Sequence, residues 1–474
     1  MFFPALFLLA ADLENQVKQF VGVFAAVEAN AAERVDASKA FYEGAIPGML
    51  RRLDPHSVFF DPMQFEQLKE LEKSTRKGFG SVVSVLPGRV IVLQTLSGTP
   101  SAKAGLAPGD EIVAINGIPL NRLDMEQLIG LLTESRQRPA RLDVRRGGRT
   151  GLLAFEMVPE EMQSASVDRA FLLRPGLGYL RVSSFDAQTG AQIRRAIERL
   201  GGPGLRGLLL DLRNNPGGLL PAALETAALF LKPGQLVLSV KGRAVTGEEV
   251  KVPEKSQPYT FPVAVLINGK SASASEIVAG ALQDHDRATI VGEPSFGKGL
   301  VESVFPLSQG TALALTTAYY YTPSGRSIQR PLTLSQAQPA APGEFRTDSG
   351  RPVKAGGGIQ PDIIAFPEFP SRLRIALDAS GSLTSFATEF LKKEAKVDAK
   401  FEVTAAILDE FQVFASQRGI SPGVAEWSGE REWIRYRLKT EILNQALGVE
   451  KGDEVEAQRD PVIVAALKAL GLAQ

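Results

Sequence analysis

Cysteine is absent from the 474 residues. That excludes disulfides, thiolate metal sites and a cysteine nucleophile together. It leaves the redox compartment open, because a cysteine-free chain suits oxidising and reducing surroundings alike. Histidine is nearly absent: His56 and His285 are the only two, which excludes a centre built from a cluster of histidine ligands. Neither sign of charge is in excess. Lys plus Arg number 53, as do Asp plus Glu, and no long basic run occurs. Composition therefore gives no electrostatic reason to expect nucleic acid or an anionic membrane as partner. The apolar run Met1-Phe-Phe-Pro-Ala-Leu-Phe-Leu-Leu-Ala-Ala11 is too short to span a bilayer. It has the length of a signal-peptide core, with small residues at Ala10 and Ala11. It lacks a positive segment ahead of it, since the first basic residue is Lys18. Two readings stand, an export signal over 1–11 and the apolar start of a first helix.

What is present is ordinary for a folded protein, 44% hydrophobic and 22% charged, and too long for one core. Apolar residues recur at helical spacing through Val17, Phe20, Val21 and Phe24, and again around Phe41, Ile46 and Leu50, so a helical region is expected over 1–74. The turn-forming stretch Leu53-Asp-Pro-His-Ser57 breaks it. Over 75–160 short strands and turns take over: Val82–Leu86 and Arg89–Leu93 about Pro87-Gly88, then Glu111–Ile115, a helix from Asp124 to Leu132, and strands Arg141–Arg145 and Leu152–Met157. Over 161–367 strands alternate with helices. Gly207–Leu212, Val263–Ile267 and Ala288–Val291 read as buried strands, which favours a parallel sheet with crossovers. Ligands of such sheets sit at the carboxyl ends of the strands, where the loops Asn214–Gly218 and Asn268–Ser275 lie. The segment Gln336–Gly358 reads as a loop, and 368–474 as polar helices without recognisable chemistry.

The segment Lys270-Ser-Ala-Ser-Ala-Ser-Glu276 follows a buried strand and opens a helix. A serine there has unpaired first-turn N–H groups and the positive end of the helix dipole beside it. An oxyanion formed on Ser273 could be held by the N–H of Ala274 and by a second donor from Gly217 or Gly218. The plainer reading of Ser273-x-x-Glu276 is a capping box, so the base must decide. His285 fails as base: twelve residues along one helix put it about 18 Å from Ser273. Lys298, in Gly292-Glu-Pro-Ser-Phe-Gly-Lys-Gly299, is the better candidate, because burial beside apolar groups can leave a lysine as a neutral amine. The same stretch nearly matches a phosphate-binding loop. It has Gly299 where a magnesium-binding Ser or Thr is required, and a strand-like Leu300–Leu307 where a helix is required. Nucleotide binding is rejected.

At these residues the chain resembles the carboxyl-terminal processing peptidases, or tail-specific proteases. Ser271–Glu276 looks like the family's nucleophile segment, Gly292–Gly299 like its lysine segment, and Asp211-Leu-Arg-Asn-Asn-Pro-Gly-Gly218 like its oxyanion-side loop. Leu53–Ser57 and Gly358-Ile-Gln-Pro-Asp-Ile363 also fit. The family's 25-residue offset from nucleophile to lysine selects Ser273 from the three serines and makes Ser271 and Ser275 supporting residues. It implies an oxyanion hole from Ala274 with Gly217 or Gly218. One position departs. Glu302 stands where the family often has a glutamine orienting the lysine, and an ionised Glu302 would oppose the lysine's role as base. The β-rich module resembles a PDZ domain. Arg76-Lys-Gly-Phe-Gly80 looks like its carboxylate-binding loop, which implies that Gly78, Phe79 and Gly80 present N–H groups to an apolar chain terminus added as a strand.

The resemblance implies an α/β multidomain protein, with a crotonase/ClpP-like catalytic core, an inserted mostly-β PDZ domain, and helical N-terminal and C-terminal regions. The expected activity is that of a serine endopeptidase cleaving proteins near their C-termini through a Ser–Lys acyl-enzyme, with no metal or other cofactor. Expected partners are proteins with exposed C-terminal tails, with an adaptor or a second copy of the chain as further candidates, and no nucleic acid. The expected location is the periplasm or cell envelope of a bacterium. Two rivals remain: a non-catalytic PDZ adaptor, and a thioester-handling enzyme of the crotonase type.

Overall fold

The structure, a computed structural model, describes residues 3–73, 75–147, 149–163, 165–243, 247–331, 345–393 and 397–472. Met1 and Phe2 of the signal-like run, and residues 336–344 of the loop expected over Gln336–Gly358, lie outside the described residues; the rest of that loop contains the short antiparallel pair Phe345–Arg346 and Pro352–Val353. The chain divides into two compact units, one made of Met1–Glu66 with Val301–Ala318, the other of Gln67–Leu300 with Tyr319–Gln474.

The larger unit holds a six-stranded sheet in the order Val167–Arg174, Leu177–Val182, Gly207–Asp211, Val263–Ile267, Ala288–Gly292 and Ile363–Ile364. The first pair is antiparallel and the rest are parallel. Every residue of Gly207–Asp211 and Val263–Ile267 is buried, as continuous apolar runs require in a sheet covered on both faces. The helices Leu220–Ala228 and Ala274–Asp284 pack on each other, and Ala274–Asp284 also packs on Ala288–Gly292. Leu209, Ala264, Leu266 and Val291 instead share a core with Val462, Ile463, Ala466 and Leu467 of the last helix, Pro461–Ala469. The polar-looking C-terminal region thus supplies part of the cover of the central sheet. The helices from Arg372 to Leu447 close around Leu377, Phe386, Phe411, Trp427 and Leu438.

The β-rich module of this unit has the strand order Ser81–Leu86, Arg89–Thr95, Glu111–Ile115, Ala140–Arg145 and Leu153–Met157, with Ile118–Pro119 alongside the third. Its helix runs over Met125–Ser135. Asp124 caps it: the Asp124 carboxylate accepts from the Gln127 N–H, and the Gln127 side chain accepts from the Asp124 N–H. Thr75–Gly78 pairs with Glu160–Gln163, joining the two ends of the module.

In the smaller unit the helix Phe3–Asn30 places Phe20 and Phe24 against Phe41, and Tyr42 stacks on Phe59. The region expected to be helical on either side of the Leu53–Ser57 turn also contains a strand, Val58–Phe60, paired antiparallel with Phe60↔Ala312 to Val58↔Ala314. Asp54 turns the chain into it, accepting from the N–H groups of His56 and Ser57 and from the Ser57 hydroxyl. The Leu53–Ser57 motif is therefore a structural turn. Among the described residues no helix is long and apolar enough to cross a membrane.

Candidate active site

Two strand ends meet through their loops. Asn214 and Asn268 bond reciprocally, the Asn214 N–H to Asn268 Oδ1 at 2.9 Å and Asn268 Nδ2 to Asn214 Oδ1 at 3.0 Å. Ser271 Oγ donates to the Leu212 carbonyl at 2.8 Å, and Ser275 Oγ to the Asn215 carbonyl at 3.0 Å. Both of these serines are wholly buried. Their hydroxyls hold the two loops together, which accounts for them without chemistry. Ser273, between them, is partly exposed. Its backbone sits at φ 53°, ψ −112°, a conformation that costs a non-glycine residue about 1–3 kcal/mol. It forms the turn from loop into the helix Ala274–Asp284. The N–H groups of Ser275, Glu276 and Ile277 bond to the carbonyls of Ala272 and Ser273. Ala274 is the first-turn amide outside that set.

Gly217 approaches this turn from the neighbouring loop at φ +99°. A Cβ on it would lie 2.7 Å from the Ala272 carbonyl oxygen and 2.9 Å from both Ala274 N and Ser273 Cβ. Only glycine permits that approach. The Gly217 N–H is already donated to Asn215 Oδ1 at 2.9 Å, and its carbonyl accepts from Phe185. Of the two glycines named from sequence, Gly218 is the one whose N–H is outside these bonds. Gly218, at φ +146°, pairs with Phe185 across an isolated bridge.

Glu276 joins the serine turn to the lysine segment, which sequence reasoning missed by reading it as a cap alone. It is buried completely, and four donors converge on it. Oε2 accepts from the N–H groups of Ser273 at 2.8 Å and Lys298 at 2.9 Å. Oε1 accepts from the Gly297 N–H at 2.7 Å and from Ser295 Oγ. Burial raises the Glu276 carboxyl above the ordinary glutamate range, and the donated bonds pull it back. Four donors and no acceptor fit the ionised form. Ser295 Oγ also accepts from the Ile359 N–H at 2.6 Å, so the Gly358–Ile363 motif braces the lysine segment. Asp362 of that motif accepts from Gln283 and from the Ile290 N–H.

Lys298 is partly exposed at the end of this segment. Glu302 lies in the following strand, Leu300–Pro306, and is partly buried. His285 sits at the C-cap of the Ser273 helix. Its Nδ1 is 2.7 Å from Asp348 Oδ2 and its Nε2 2.7 Å from the Leu236 carbonyl, so both ring nitrogens are engaged away from the serine.

In the β-rich module a groove of about 490 Å³ runs between the edge strand Ser81–Leu86 and the helix Met125–Ser135. Val83, Ile112, Ile129 and Leu132 line it, as do Gly78, Phe79 and Gly80. Phe79 is buried. Gly80, at φ +75°, lies so close to Thr99 that a Cβ would sit 2.3 Å from that side chain.

Comparison with known proteins identifies the family. The model of peptidase family S41 matches residues 176–335, and that of the PDZ domain residues 91–146. The carboxy-terminal-processing protease of Bartonella bacilliformis is 37% identical over 321 residues, 66% of this chain and 73% of that one. The carboxyl-terminal-processing protease of Synechocystis sp. is 34% identical over 60% of this chain and 68% of its own. A solved photosystem II D1 C-terminal processing protease aligns over 70% of this chain and 84% of that chain, with 26% identity and a TM-score of 0.40. The chain belongs to peptidase family S41, among the carboxyl-terminal-processing proteases, and is a serine peptidase carrying a PDZ domain.

Proposed function

We propose that the enzyme cleaves proteins near their C-termini through an acyl-enzyme on Ser273, with Lys298 as the base. The observation that carries this reading is the separation of the three serines. Ser271 and Ser275 are buried and bonded to the neighbouring loop, whereas Ser273 is partly exposed on a strained turn. Its N–H shares one carboxylate oxygen with the N–H of Lys298. In the reaction Lys298 takes the Ser273 hydroxyl proton as Oγ attacks the scissile carbonyl. The N–H groups of Ala274 and Gly218 stabilise the resulting oxyanion, and the proton passes to the leaving amine. Water then releases the acid product by the same proton path.

The PDZ groove serves this chemistry by holding the substrate's tail. The edge strand Ser81–Leu86 offers backbone groups to an added strand, Gly78–Gly80 offers N–H groups to the terminal carboxylate, and the apolar lining takes the last side chain. Amidating the C-terminus of an apolar-ended peptide is expected to weaken its binding at least about tenfold. Fluorescence anisotropy checks this, and equal binding of the two peptides would sink tail capture. Export to the bacterial envelope belongs to the same proposal and is tested by N-terminal sequencing of the mature protein.

The test of the dyad is cleavage of a flexible-tailed protein by wild type, Ser273→Ala, Lys298→Ala, Ser271→Ala and Ser275→Ala. The first two variants are expected to lose cleavage while staying folded. The other two are expected to melt lower and keep measurable cleavage. Cleavage by Ser273→Ala at the wild-type rate would return the chain to a hydrolase with another nucleophile.

A further inference from the structure

Tyr320 is a buried phenol, 1% exposed, at the end of the strand Ala312–Tyr321. Nothing in the proposed chemistry uses it. Its backbone is fixed first: Tyr320 pairs with Val240 of Leu236–Lys241, and its N–H donates to the Gly299 carbonyl at 3.0 Å. The ring therefore has a defined origin, held at the residue that directly follows Lys298. Its hydroxyl lies 2.9 Å from the Lys298 carbonyl oxygen and 3.4 Å from the Ser273 carbonyl oxygen. A phenol has one proton to give. The shorter contact takes most of it, and the longer one is the second arm of a shared bond. Burial, reinforced by the Glu276 carboxylate nearby, pushes the phenol well above its ordinary range, so the hydroxyl remains a donor throughout the working range of a peptidase.

On the other side of the same two residues stands Glu276, whose Oε2 accepts both their N–H groups. Ser273 and Lys298 are 25 residues apart in sequence, on different segments. They are nevertheless gripped by their N–H groups at one carboxylate oxygen and by their carbonyls at one hydroxyl.

We infer that Tyr320 is a positioning residue which, with Glu276, clamps the backbones of Ser273 and Lys298 at a fixed spacing. The inference rests on the reading of these two residues as nucleophile and base. Proton transfer between them needs heavy-atom spacing held to a few tenths of an ångström, and a misplacement of about 1 Å costs about 100-fold. The clamp acts on the two backbones and not on the two side chains. It also explains why a tyrosine is suited here: phenylalanine fills the same volume and lacks the donor.

The experiment is a pre-steady-state burst with an activated ester of an apolar-ended tail peptide, run on full-length wild type, Tyr320→Phe, Glu276→Asp and Ser273→Ala. Burst amplitude counts competent sites, and burst rate reports acylation per site. Tyr320→Phe is expected to keep an amplitude near that of wild type and KM within about twofold, while its burst rate falls about 10- to 100-fold. A merely structural role would lower amplitude and melting temperature and leave the rate per site unchanged, and that result overturns the inference. Glu276→Asp, which retracts the carboxylate by one methylene, is expected to slow the burst in the same way and decides the matter should Tyr320→Phe not fold. If Ser273→Ala still shows the burst, the dyad reading fails and the clamp with it. If only Ser273→Ala loses the burst, the dyad stands and the clamp fails.

Discussion

Gly217 shows how little room the site leaves. A methyl group there would sit within 3 Å of the Ala272 carbonyl, the Ala274 N–H and Ser273 Cβ, at a φ that already disfavours a side chain. Gly217→Ala is expected to displace the proposed Ala274 donor and so lower kcat/KM about 100-fold, the scale of one lost oxyanion donor, while the melting temperature drops by only a few degrees. Unchanged kcat/KM would move the oxyanion site elsewhere. Glu302 raises a different question, because it stands where the family resemblance implies a glutamine that orients the lysine. Glu302→Gln is expected to keep or raise kcat, and complete loss would show that the carboxylate itself is needed. At this scale the sequence was legible wherever a residue type is rare for its setting. Two histidines left few bases to consider, and the lysine between glycines stood out. Glu276 was legible only as a cap, because its other three donors, Ser295, Gly297 and Lys298, come from a segment about 20 residues away. Tyr320 gave no signal at all, since a tyrosine in a run of three reads as strand packing.

Secondary structure follows local chemistry closely where a single segment decides it. Val263–Ile267 was readable as a strand from its unbroken apolar run, and the helix after Asp124 from its cap. Val58–Phe60 was not readable: three residues beside Pro55 carry little strand signal, and their partner lies about 250 residues on. Long elements also carry buried charge whose effect can be signed. Glu441, on the helix Val424–Leu447, is buried, and that desolvation raises its carboxyl above the ordinary glutamate range. Arg437 and Thr384 oppose the rise only in part. A raised carboxyl contributes stability that is complete below its unfolded pKa and is lost as pH rises through its folded pKa. Wild type is thus expected to gain resistance to urea as pH falls from neutrality toward the ordinary glutamate range. Glu441→Gln, which retains an acceptor for Thr384, is expected to lose that part of the pH dependence. An unchanged slope of urea midpoint against pH would contradict the assignment.

At the scale of the molecule, the C-terminal helices change meaning. Their amphipathic pattern was legible, but a pattern names no partner, and the face of Pro461–Ala469 turns out to cover Leu209, Ala264, Leu266 and Val291 of the central sheet. Ile463→Ala is expected to cost about 2–5 kcal/mol, read from urea unfolding, with the acylation rate per folded molecule unchanged. Loss of less than about 1 kcal/mol would mean that the helix only rests on the sheet. The central claim, that Ser273 carries the acyl group and Lys298 takes the proton its hydroxyl gives up, is tested most directly by capturing the intermediate. Enzyme mixed with an activated ester of a tail peptide, quenched in acid and digested, is examined by tandem mass spectrometry. The account predicts the acyl group on Ser273 in wild type, its absence in Ser273→Ala, and at most a trace in Lys298→Ala. Acyl transfer to another side chain, or full acylation of Lys298→Ala at the wild-type rate, would contradict it.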